Sequence, residues 1–330
     1  MSPNTRKPSG LPYVGDRFHA RTVRVKAPGK INVSLSVGPL RPDGYHSVAS
    51  VYLAVSLYEE VAATSTGADG ITVSISPNST LDLDGVDIPL DERNLAYKAA
   101  AIMAELSEKP TGVHLEITKR VPVAGGMGGG SADAAATLLA CDALWNSGLS
   151  REELAHLAAE LGADVPFSLL GGTAVGLGVG DKLSPALAKA QMDWVLVFAD
   201  YGLSTPDVFH TLDGLRDSEG VEIPEPVDVD PTILQALRHG DPEALSRVLI
   251  NDLQRASIAL APQLRDTIGL GEARGALAGM VSGSGPTIAL LARDSVSASV
   301  LAEELTHRGH TAVAVHGPVP GARIISDTLL

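Results

Sequence analysis

The 330-residue chain contains one cysteine, few aromatic residues and no long apolar run. The single cysteine, Cys141, excludes an intrachain disulfide and favours a reducing compartment, so we expect a cytoplasmic protein. No apolar run approaches the ~18–20 residues that span a membrane, and the first residues lack the apolar region of a signal peptide. We therefore expect no membrane partner and interpret residues 1–20 as a mobile tail.

Positive charge is also scarce. The chain has 25 lysine and arginine residues against 39 aspartate and glutamate residues, which gives a formal net charge of −14. This balance argues against non-specific binding to nucleic acid. The chain is 45% hydrophobic, enough for a sizeable core, and its length suggests about two domains. An anionic substrate would need a local basic site in this acidic protein.

The most informative stretch covers residues 119–145 and has five glycines between positions 125 and 130. Glycine lacks a Cβ, so backbone N–H groups in such a loop can approach a ligand closely. Alanine and leucine residues after Ser131 predict a helix, whose N-terminus would favour an anion. A glycine run alone could be only a turn, and this one lacks the Walker and dinucleotide-binding patterns. We interpret it as a phosphate-binding loop.

The pattern P-x-x-G-G-x-G-G-G-S-x-D-A-A resembles the phosphate loop of the galactokinase, homoserine kinase, mevalonate kinase and phosphomevalonate kinase (GHMP) superfamily. It is most similar to the branch that phosphorylates 4-diphosphocytidyl-2-C-methyl-D-erythritol, although Ala124 and Met127 replace a common glycine and leucine. The resemblance covers residues 23–325 and implies the two-domain α+β GHMP kinase fold. A ribosomal protein S5 domain 2-like, ATP-binding domain would occupy residues 21–185, and a ferredoxin-like, substrate-binding domain residues 186–330.

Two segments resemble the parts of this family that carry the reaction. The segment A-P-G-K implies that Lys30 reaches the active site, although an isolated lysine beside a turn is usually a surface charge. The segment G-A-D-V-P implies that Asp164 is the catalytic aspartate, which could also cap the next helix. Asp164 could accept the proton of the acceptor hydroxyl, or orient that hydroxyl and keep Lys30 charged. We favour orientation with late proton transfer, because an aspartate beside a lysine is a weak base.

The resemblance also implies ATP and Mg²⁺ as cofactors. Asn94 would lie near the adenine, although it could simply cap the helix predicted after it. The hydroxyl of Ser131 is the best candidate ligand for Mg²⁺, which could also keep mostly water. The other implied ATP-binding residues are Lys119, Pro122, Val123, Ala124, Gly125, Gly126, Met127, Gly128, Gly129, Gly130 and Ala132.

Two further segments, R-P-D-G-Y-H at residues 41–46 and T-P-D-V-F at residues 205–209, resemble the substrate-binding motifs of the diphosphocytidyl branch. Tyr45 and Phe209 would stack on the two faces of cytosine, and His46 would read its edge. Asn32 and Thr205 complete the implied contacts with this small-molecule substrate. We expect a monomer or a homodimer.

Two other functions stay open. The chain could be a different small-alcohol kinase of the superfamily, an alternative that the two substrate motifs argue against. It could also be a nucleotide-binding module without turnover. The presence of Lys30, Asp164 and a third glycine motif, S-G-S-G-P at residues 282–286, argues against that alternative.

Local patterns predict several elements outside these motifs. Alternating residues predict strands over residues 22–26 and 31–37, interrupted between them. An apolar stripe predicts a helix over residues 94–107. We also expect an acidic loop over residues 213–231 and a helix over residues 273–280.

Overall fold

The structure is a computed structural model that describes residues 19–108, 110–188 and 190–329, so the interpretation of residues 1–18 as a tail lies outside the described residues. The strands are β1 (Arg21–Leu40), β2 (His46–Thr66), β3 (Ile71–Ile75), β4 (Gly112–Thr118), β5 (Thr173–Leu177), β6 (Lys182–Ala186), β7 (Met192–Phe198), β8 (Ile250–Asn251), β9 (Ala278–Val281), β10 (Ile288–Leu291), β11 (Thr311–Gly317) and β12 (Arg323–Leu329). The helices are α1 (Leu95–Leu106), α2 (Gly129–Trp145), α3 (Arg151–Leu161), α4 (Val165–Leu170), α5 (Thr205–Glu219), α6 (Pro231–His239), α7 (Pro242–Ser246), α8 (Gln254–Leu260), α9 (Gln263–Ala273) and α10 (Ser295–His307). None of these helices is both long and apolar enough to cross a membrane.

The first sheet has the strand order β12–β1–β2–β4–β3, and β5 and β8 pair with β2 and β1 beside this path. The predicted interruption between two strands is wrong, because β1 is continuous. Its register with β2 instead shifts between Pro28 and Lys30 and between Asn32 and Ser34. Pairing with β12 ends at Lys26 and pairing with β8 begins at Ser34, so the intervening backbone has one open edge. Pro28, which has no N–H to donate, is tolerated at such an edge.

Helix α2 lies in the core of the first half of the chain. Most of its residues are fully buried, including Ala132, Ala135 and Leu138. The alanines keep the helix narrow, so it packs closely against α1, β1 and β2. This position fixes the N-terminus of α2, and hence the glycine loop before it, against the first sheet.

The second sheet is antiparallel, with the order β11–β7–β10–β9. Along the chain, helices separate β7 from β9 and β10 from β11, which is the strand–helix–strand–strand–helix–strand order of ferredoxin-like folds. The predicted two-domain α+β fold class is confirmed. The division at residue 185 stays a prediction. Two strands beyond it, β8 and β12, pair with β1 in the first sheet.

Two local predictions in the second half are wrong. Helix α5 continues to Glu219, through the first part of the predicted acidic loop, because Val208 and Leu212 bury one face while Asp217 and Glu219 stay exposed. Helix α9 ends at Ala273 instead of beginning there, and Gly275 follows with φ +107°. Residues 278–281 then form β9, because they pair with β10. Within them Ala278 and Met280 favour a helix, but Gly279 and Val281 do not.

Candidate active site

A cavity of about 550 Å³ lies between the glycine loop, β1 and the start of α5. It brings together residues that are far apart in the sequence and that the motifs predicted as site residues. Those that line it are Lys30, Asn32, Asn94, Lys119, Pro122, Val123, Ala124, Gly125, Gly126, Gly128, Gly129, Gly130, Ser131, Asp164, Thr205 and Phe209. The motifs therefore converge on one place in the fold, except for the segment at residues 41–46, because neither Tyr45 nor His46 lines the cavity.

The glycine loop ends at Gly128, which caps α2 in a left-handed conformation with φ +71°. The helix begins two residues before the predicted Ser131. Because glycine has no side chain, the first N–H groups of α2 receive no side-chain capping bond and remain available to an anion. This geometry suits a phosphate group in the cavity.

The loop glycines are needed for packing as well as for ligand approach. A Cβ on Gly126 would lie 2.3 Å from the carbonyl oxygen of Ser282, in the third glycine motif. A Cβ on Gly128 would instead face the cavity, 3.6 Å from Lys30 Cγ and 3.7 Å from Asp164 Oδ2. The loop thus touches the third motif on one side and the predicted catalytic pair on the other.

Met127 and Ala132 were predicted as ATP-binding residues, in a loop that binds through its backbone. Their side chains are fully buried, and neither residue lines the cavity. Met127 contributes its backbone, whose carbonyl accepts a hydrogen bond of 3.0 Å from the N–H of Lys30. This bond ties the loop to the open edge of β1. The two side chains support the loop from the core.

Lys30 and Asp164 meet at the floor of the cavity. The Nζ atom of Lys30 lies 3.7 Å from Asp164 Oδ2 and donates a 2.7 Å hydrogen bond to Asn32 Oδ1. Asp164 occupies the N-cap position of α4, but its side chain makes no capping bond, so its carboxylate is free to face the cavity. The predicted N-cap alternative is therefore correct for the position of Asp164, but the side chain does not act as the cap.

Tyr52 packs beneath this pair, with its ring centroid 5.5 Å from Lys30 Nζ. Burial, followed by the charges of Asp164 and Asp181, raises the pKa of the Tyr52 phenol. The ring therefore stays neutral and presents a π-face to the ammonium group.

Lys119 belongs to a buried cluster with Glu59 and Asp133, two residues that the sequence interpretation missed. Its ammonium lies 2.9 Å from Glu59 Oε1 and 2.6 Å from Asp133 Oδ2. Glu59 also accepts hydrogen bonds from the backbone N–H groups of Arg120 and Val121, at the entry to the glycine loop. Lys119 was predicted to bind ATP, but its charge is engaged by two carboxylates, so its ammonium holds the loop in place. Asp133 is the aspartate of the G-G-G-S-x-D motif, and its place in that motif is the feature of the sequence that could have indicated this cluster.

This cluster has two carboxylates for one ammonium. Burial, and then the neighbouring Asp133, raise the pKa of Glu59 to about 8, against the opposing effect of Lys119. Burial also raises the pKa of Asp133, whose Oδ1 has no hydrogen-bond partner among the described residues. For the Lys119 ammonium, burial opposes the charged form, but the two carboxylates outweigh it and raise the pKa. The cluster therefore retains a proton that an exposed carboxylate would have lost at neutral pH.

Asn94 lines the cavity and also caps α1, as the capping alternative predicted. Its Oδ1 accepts from the N–H of Ala96 at 2.8 Å, and its Nδ2 donates to the carbonyl of Pro89 at 2.7 Å. The side-chain amide of Asn94 thereby links the backbone before it, at Pro89, to the first turn of α1, at Ala96, along one wall of the cavity.

The predicted substrate residues are arranged differently from the expected sandwich. Phe209 stacks against His46, with ring centroids 4.9 Å apart, and His46 Nε2 forms a 2.9 Å contact with Asp213 Oδ1. Tyr45 is 64% exposed and does not line the cavity. Thr205 is bonded to Ser284 through their hydroxyls at 2.9 Å. Asp213 was missed because α5 was not predicted to extend that far.

The sequence matches the family of GHMP kinases N terminal domains over residues 94–172 and that of GHMP kinases C terminal domains over residues 233–311. It is 96% identical, over 96% of its length and 100% of the relative, to a protein from Paenarthrobacter aurescens named 4-diphosphocytidyl-2-C-methyl-D-erythritol kinase. A protein of the same name from Pseudarthrobacter chlorophenolicus is 82% identical over 95% of this chain and 98% of its own. The fold is similar to a crystal structure of 4-(cytidine 5'-diphospho)-2C-methyl-D-erythritol kinase, with a TM-score of 0.73 and 32% identity, covering 90% of this chain and 99% of that one.

Proposed function

This chain belongs to the 4-diphosphocytidyl-2-C-methyl-D-erythritol kinase family of GHMP kinases, and from that membership we propose its reaction. The protein transfers the γ-phosphate of ATP to the 2-hydroxyl of 4-diphosphocytidyl-2-C-methyl-D-erythritol. The product is the 2-phosphate, an intermediate of the non-mevalonate isoprenoid pathway. The observation that carries this proposal is the Lys30–Asp164 pair, which faces the N-terminus of α2 across one cavity.

Phosphoryl transfer depends mainly on positioning and on neutralising charge. In our proposal the N–H groups at the start of α2 bind the phosphates of ATP, and Lys30 neutralises charge on the transferred group. Asp164 orients the acceptor hydroxyl and takes its proton late in the transfer. The position of Asp164 Oδ2, 3.7 Å from Lys30 Nζ and close to Gly128, supports this assignment, because acceptor and phosphate would meet there.

Mg²⁺ would be held mainly through ATP and water. No cluster of three or more His, Cys, Asp or Glu side chains in the described ranges is placed to hold a metal ion. Mg²⁺ in kinases is usually bound by few protein ligands together with substrate phosphates, so this arrangement fits. The Ser131 hydroxyl, in the first turn of α2 and at the cavity, is the proposed protein ligand. When bound, the ion would neutralise charge on the phosphate oxygens.

Cytidine recognition is assigned to the end of the cavity that Phe209 lines. We propose that the base packs on Phe209 and that His46, in contact with the same ring, reads the edge of the base. Tyr45, the residue before His46, is exposed and does not line the cavity, so we assign it a smaller part in the stack than Phe209.

Mass spectrometry of the product tests the reaction directly. Incubation of the protein with ATP, Mg²⁺ and the diphosphocytidyl alcohol should add one phosphate to the alcohol, and Asp164→Asn should abolish most of this product. Homoserine and mevalonate, offered in the same assay, should not be phosphorylated. Phosphorylation of either of them in preference would favour another kinase of the superfamily. ATP binding with no substrate-dependent turnover would indicate a binding module.

A further inference from the structure

We infer that Ser50 is a positioning residue for the catalytic Lys30 and acts through Asn32. Ser50 lies on β2, is fully buried and does not line the cavity. No motif pointed to it. The inference rests on the proposed function in one respect, because it assumes that Lys30 acts in phosphoryl transfer.

A continuous chain of three short hydrogen bonds links the two residues. Lys30 Nζ donates to Asn32 Oδ1, Asn32 Nδ2 donates to Ser50 Oγ, and each bond is 2.7 Å long. Ser50 Oγ then donates to the carbonyl oxygen of Ser34, also at 2.7 Å. Lys30, Asn32 and Ser50 are at most 6% exposed, so water competes little with this chain.

The direction of every bond in this chain follows from its last member. A carbonyl oxygen can only accept, so the single proton of the Ser50 hydroxyl is committed to Ser34. The Ser50 oxygen is then left with lone pairs, which require a donor from the Asn32 amide. The NH₂ group of Asn32 must therefore face Ser50, and its carbonyl oxygen must face Lys30.

The opposite orientation of the amide would be unfavourable at both ends. Asn32 Oδ1 would then face a hydroxyl whose proton is already used, and its NH₂ group would face the Lys30 ammonium, which has only donors. Buried polar groups without partners are destabilising. Ser50 thus selects the one orientation in which Asn32 anchors the ammonium.

The anchor matters because the lysine side chain is flexible. The Lys30 ammonium has three donors, and its bond to Asn32 fixes one of them while Asp164, 3.7 Å away, is beyond hydrogen-bond distance. A displacement of about 1 Å at a reacting centre can cost about 100-fold in rate. The series of hydrogen bonds from Ser34 to Lys30 therefore holds the ammonium in a fixed position, which the ion pair with Asp164 alone would not do.

The test compares Ser50→Ala with Ser50→Thr, which keeps the hydroxyl. We expect Ser50→Ala to lower kcat by about 10- to 100-fold, to leave the Kd for ATP close to that of the wild type, and to lose little further activity when combined with Lys30→Ala. Ser50→Thr should recover most of the lost kcat. Ser168→Ala is the matched control, because Ser168 is also fully buried and its hydroxyl has no hydrogen-bond partner in the described structure.

Three results would overturn the inference: a kcat for Ser50→Ala equal to that of Ser168→Ala, full additivity with Lys30→Ala, or equal losses in the alanine and threonine variants. If Ser50→Ala does not fold, Ser50→Cys replaces it, since a thiol is a weak donor and acceptor of similar size. A second measurement is independent of the substrate. The ¹⁵N-detected NMR signal of the Lys30 ammonium should be visible in the wild type and lost by fast exchange in the Ser50 variant, and an unchanged signal would contradict the inference even if the proposed reaction is wrong.

Discussion

The Lys30 ammonium is held closer to Asn32 than to Asp164: it donates to Asn32 Oδ1 at 2.7 Å, whereas Asp164 Oδ2 lies 3.7 Å away. Asp164 is therefore not saturated by its ion pair. Its side chain is 30% exposed and makes no capping bond, so it can accept a hydrogen bond from a substrate hydroxyl. Because Asn32 anchors the Lys30 ammonium, the carboxylate of Asp164 remains available to the substrate.

This separation predicts that either residue can be removed without loss of the fold. Asp164→Asn and Lys30→Ala should each lower kcat by roughly 10²–10⁴-fold, the range for losing a general base, which we extend to the lysine. The Kd for ATP should change less, since the N-terminus of α2 remains. Steady-state kinetics and calorimetry measure both quantities, with Asp69→Asn in an exposed loop as the control. Near-wild-type turnover in Asp164→Asn would exclude the assignment of Asp164.

The glycine loop predicts a specific loss of nucleotide binding. Gly128→Val should abolish ATP binding, because position 128 has φ +71° and its Cβ would point at Lys30 and Asp164. Gly148 has nearly the same φ, +72°, but no atom within 4 Å of its Cβ, so Gly148→Val imposes similar backbone strain away from the site. Calorimetric titration with ATP compares the two variants. Equal ATP affinity in both would show that the phosphate site is elsewhere.

Ala124 predicts a stabilising substitution. It is an alanine with φ +52°, in the left-handed region that disfavours a Cβ. Ala124→Gly should raise the free energy of unfolding by about 0.5–1 kcal/mol, after the entropy gained by the unfolded chain is subtracted. Asn146 has the same φ, but asparagine tolerates this conformation better than alanine does. Asn146→Gly should therefore raise the free energy of unfolding by less than Ala124→Gly. Urea unfolding measures both, and a larger gain at position 146 would contradict the explanation.

The buried Glu59 predicts a pH-dependent stability. Its pKa is raised from 4.5 to about 8 in the folded protein, so between these values the folded state holds a proton that the unfolded state has released. The free energy of unfolding should therefore fall as pH rises from about 4.5 to about 8. Glu59→Gln should reduce this slope, whereas Glu105→Gln, at an exposed position, should not. Identical slopes for wild type and Glu59→Gln in urea titrations would exclude a proton on Glu59.

The stacked pair of His46 and Phe209 predicts which substitutions change substrate affinity and which change the preference for cytidine. Phe209→Ala should weaken binding of the cytidine diphosphate analogue by about 10- to 100-fold, from the roughly 1–3 kcal/mol of base stacking. It should not make uridine acceptable, because every base has a π-face and discrimination comes from edge hydrogen bonds. Replacing His46 should instead erode the preference for cytidine. Tyr45→Ala should weaken binding of the cytidine analogue less than Phe209→Ala, because Tyr45 is 64% exposed. A larger effect of Tyr45→Ala would instead support the sandwich of Tyr45 and Phe209 predicted from the sequence.

The sequence was sufficient where function depends on local backbone chemistry. The glycine loop, the start of α2 and the segments around Lys30 and Asp164 are continuous in the chain, so their patterns could be read directly. It was insufficient where a residue acts through a distant partner. Glu59 meets Lys119 and Asp133 only because β2, β4 and α2 pack together, and an isolated glutamate in a strand gives no sign of that.

The same limit explains the errors in secondary structure. Ala278 and Met280 favour a helix, but β10 lies beside residues 278–281 and its pairing with them decides the outcome. Pro28 and Gly29 usually interrupt a strand. Here β2 pairs with the residues before and after them, and the only local effect is a shift in register. In both cases the deciding neighbour comes from elsewhere in the chain.

The pairing of β12 with β1 has a consequence for folding during synthesis. Until residues 323–329 leave the ribosome, one edge of β1 at residues 21–26 has no partner, although β2, on its other side, is made early. An unpaired strand edge invites pairing with other chains. The strand that carries Lys30 is therefore exposed to misassembly for most of the time that the protein takes to be translated, and removal of residues 323–329 would make that exposure permanent.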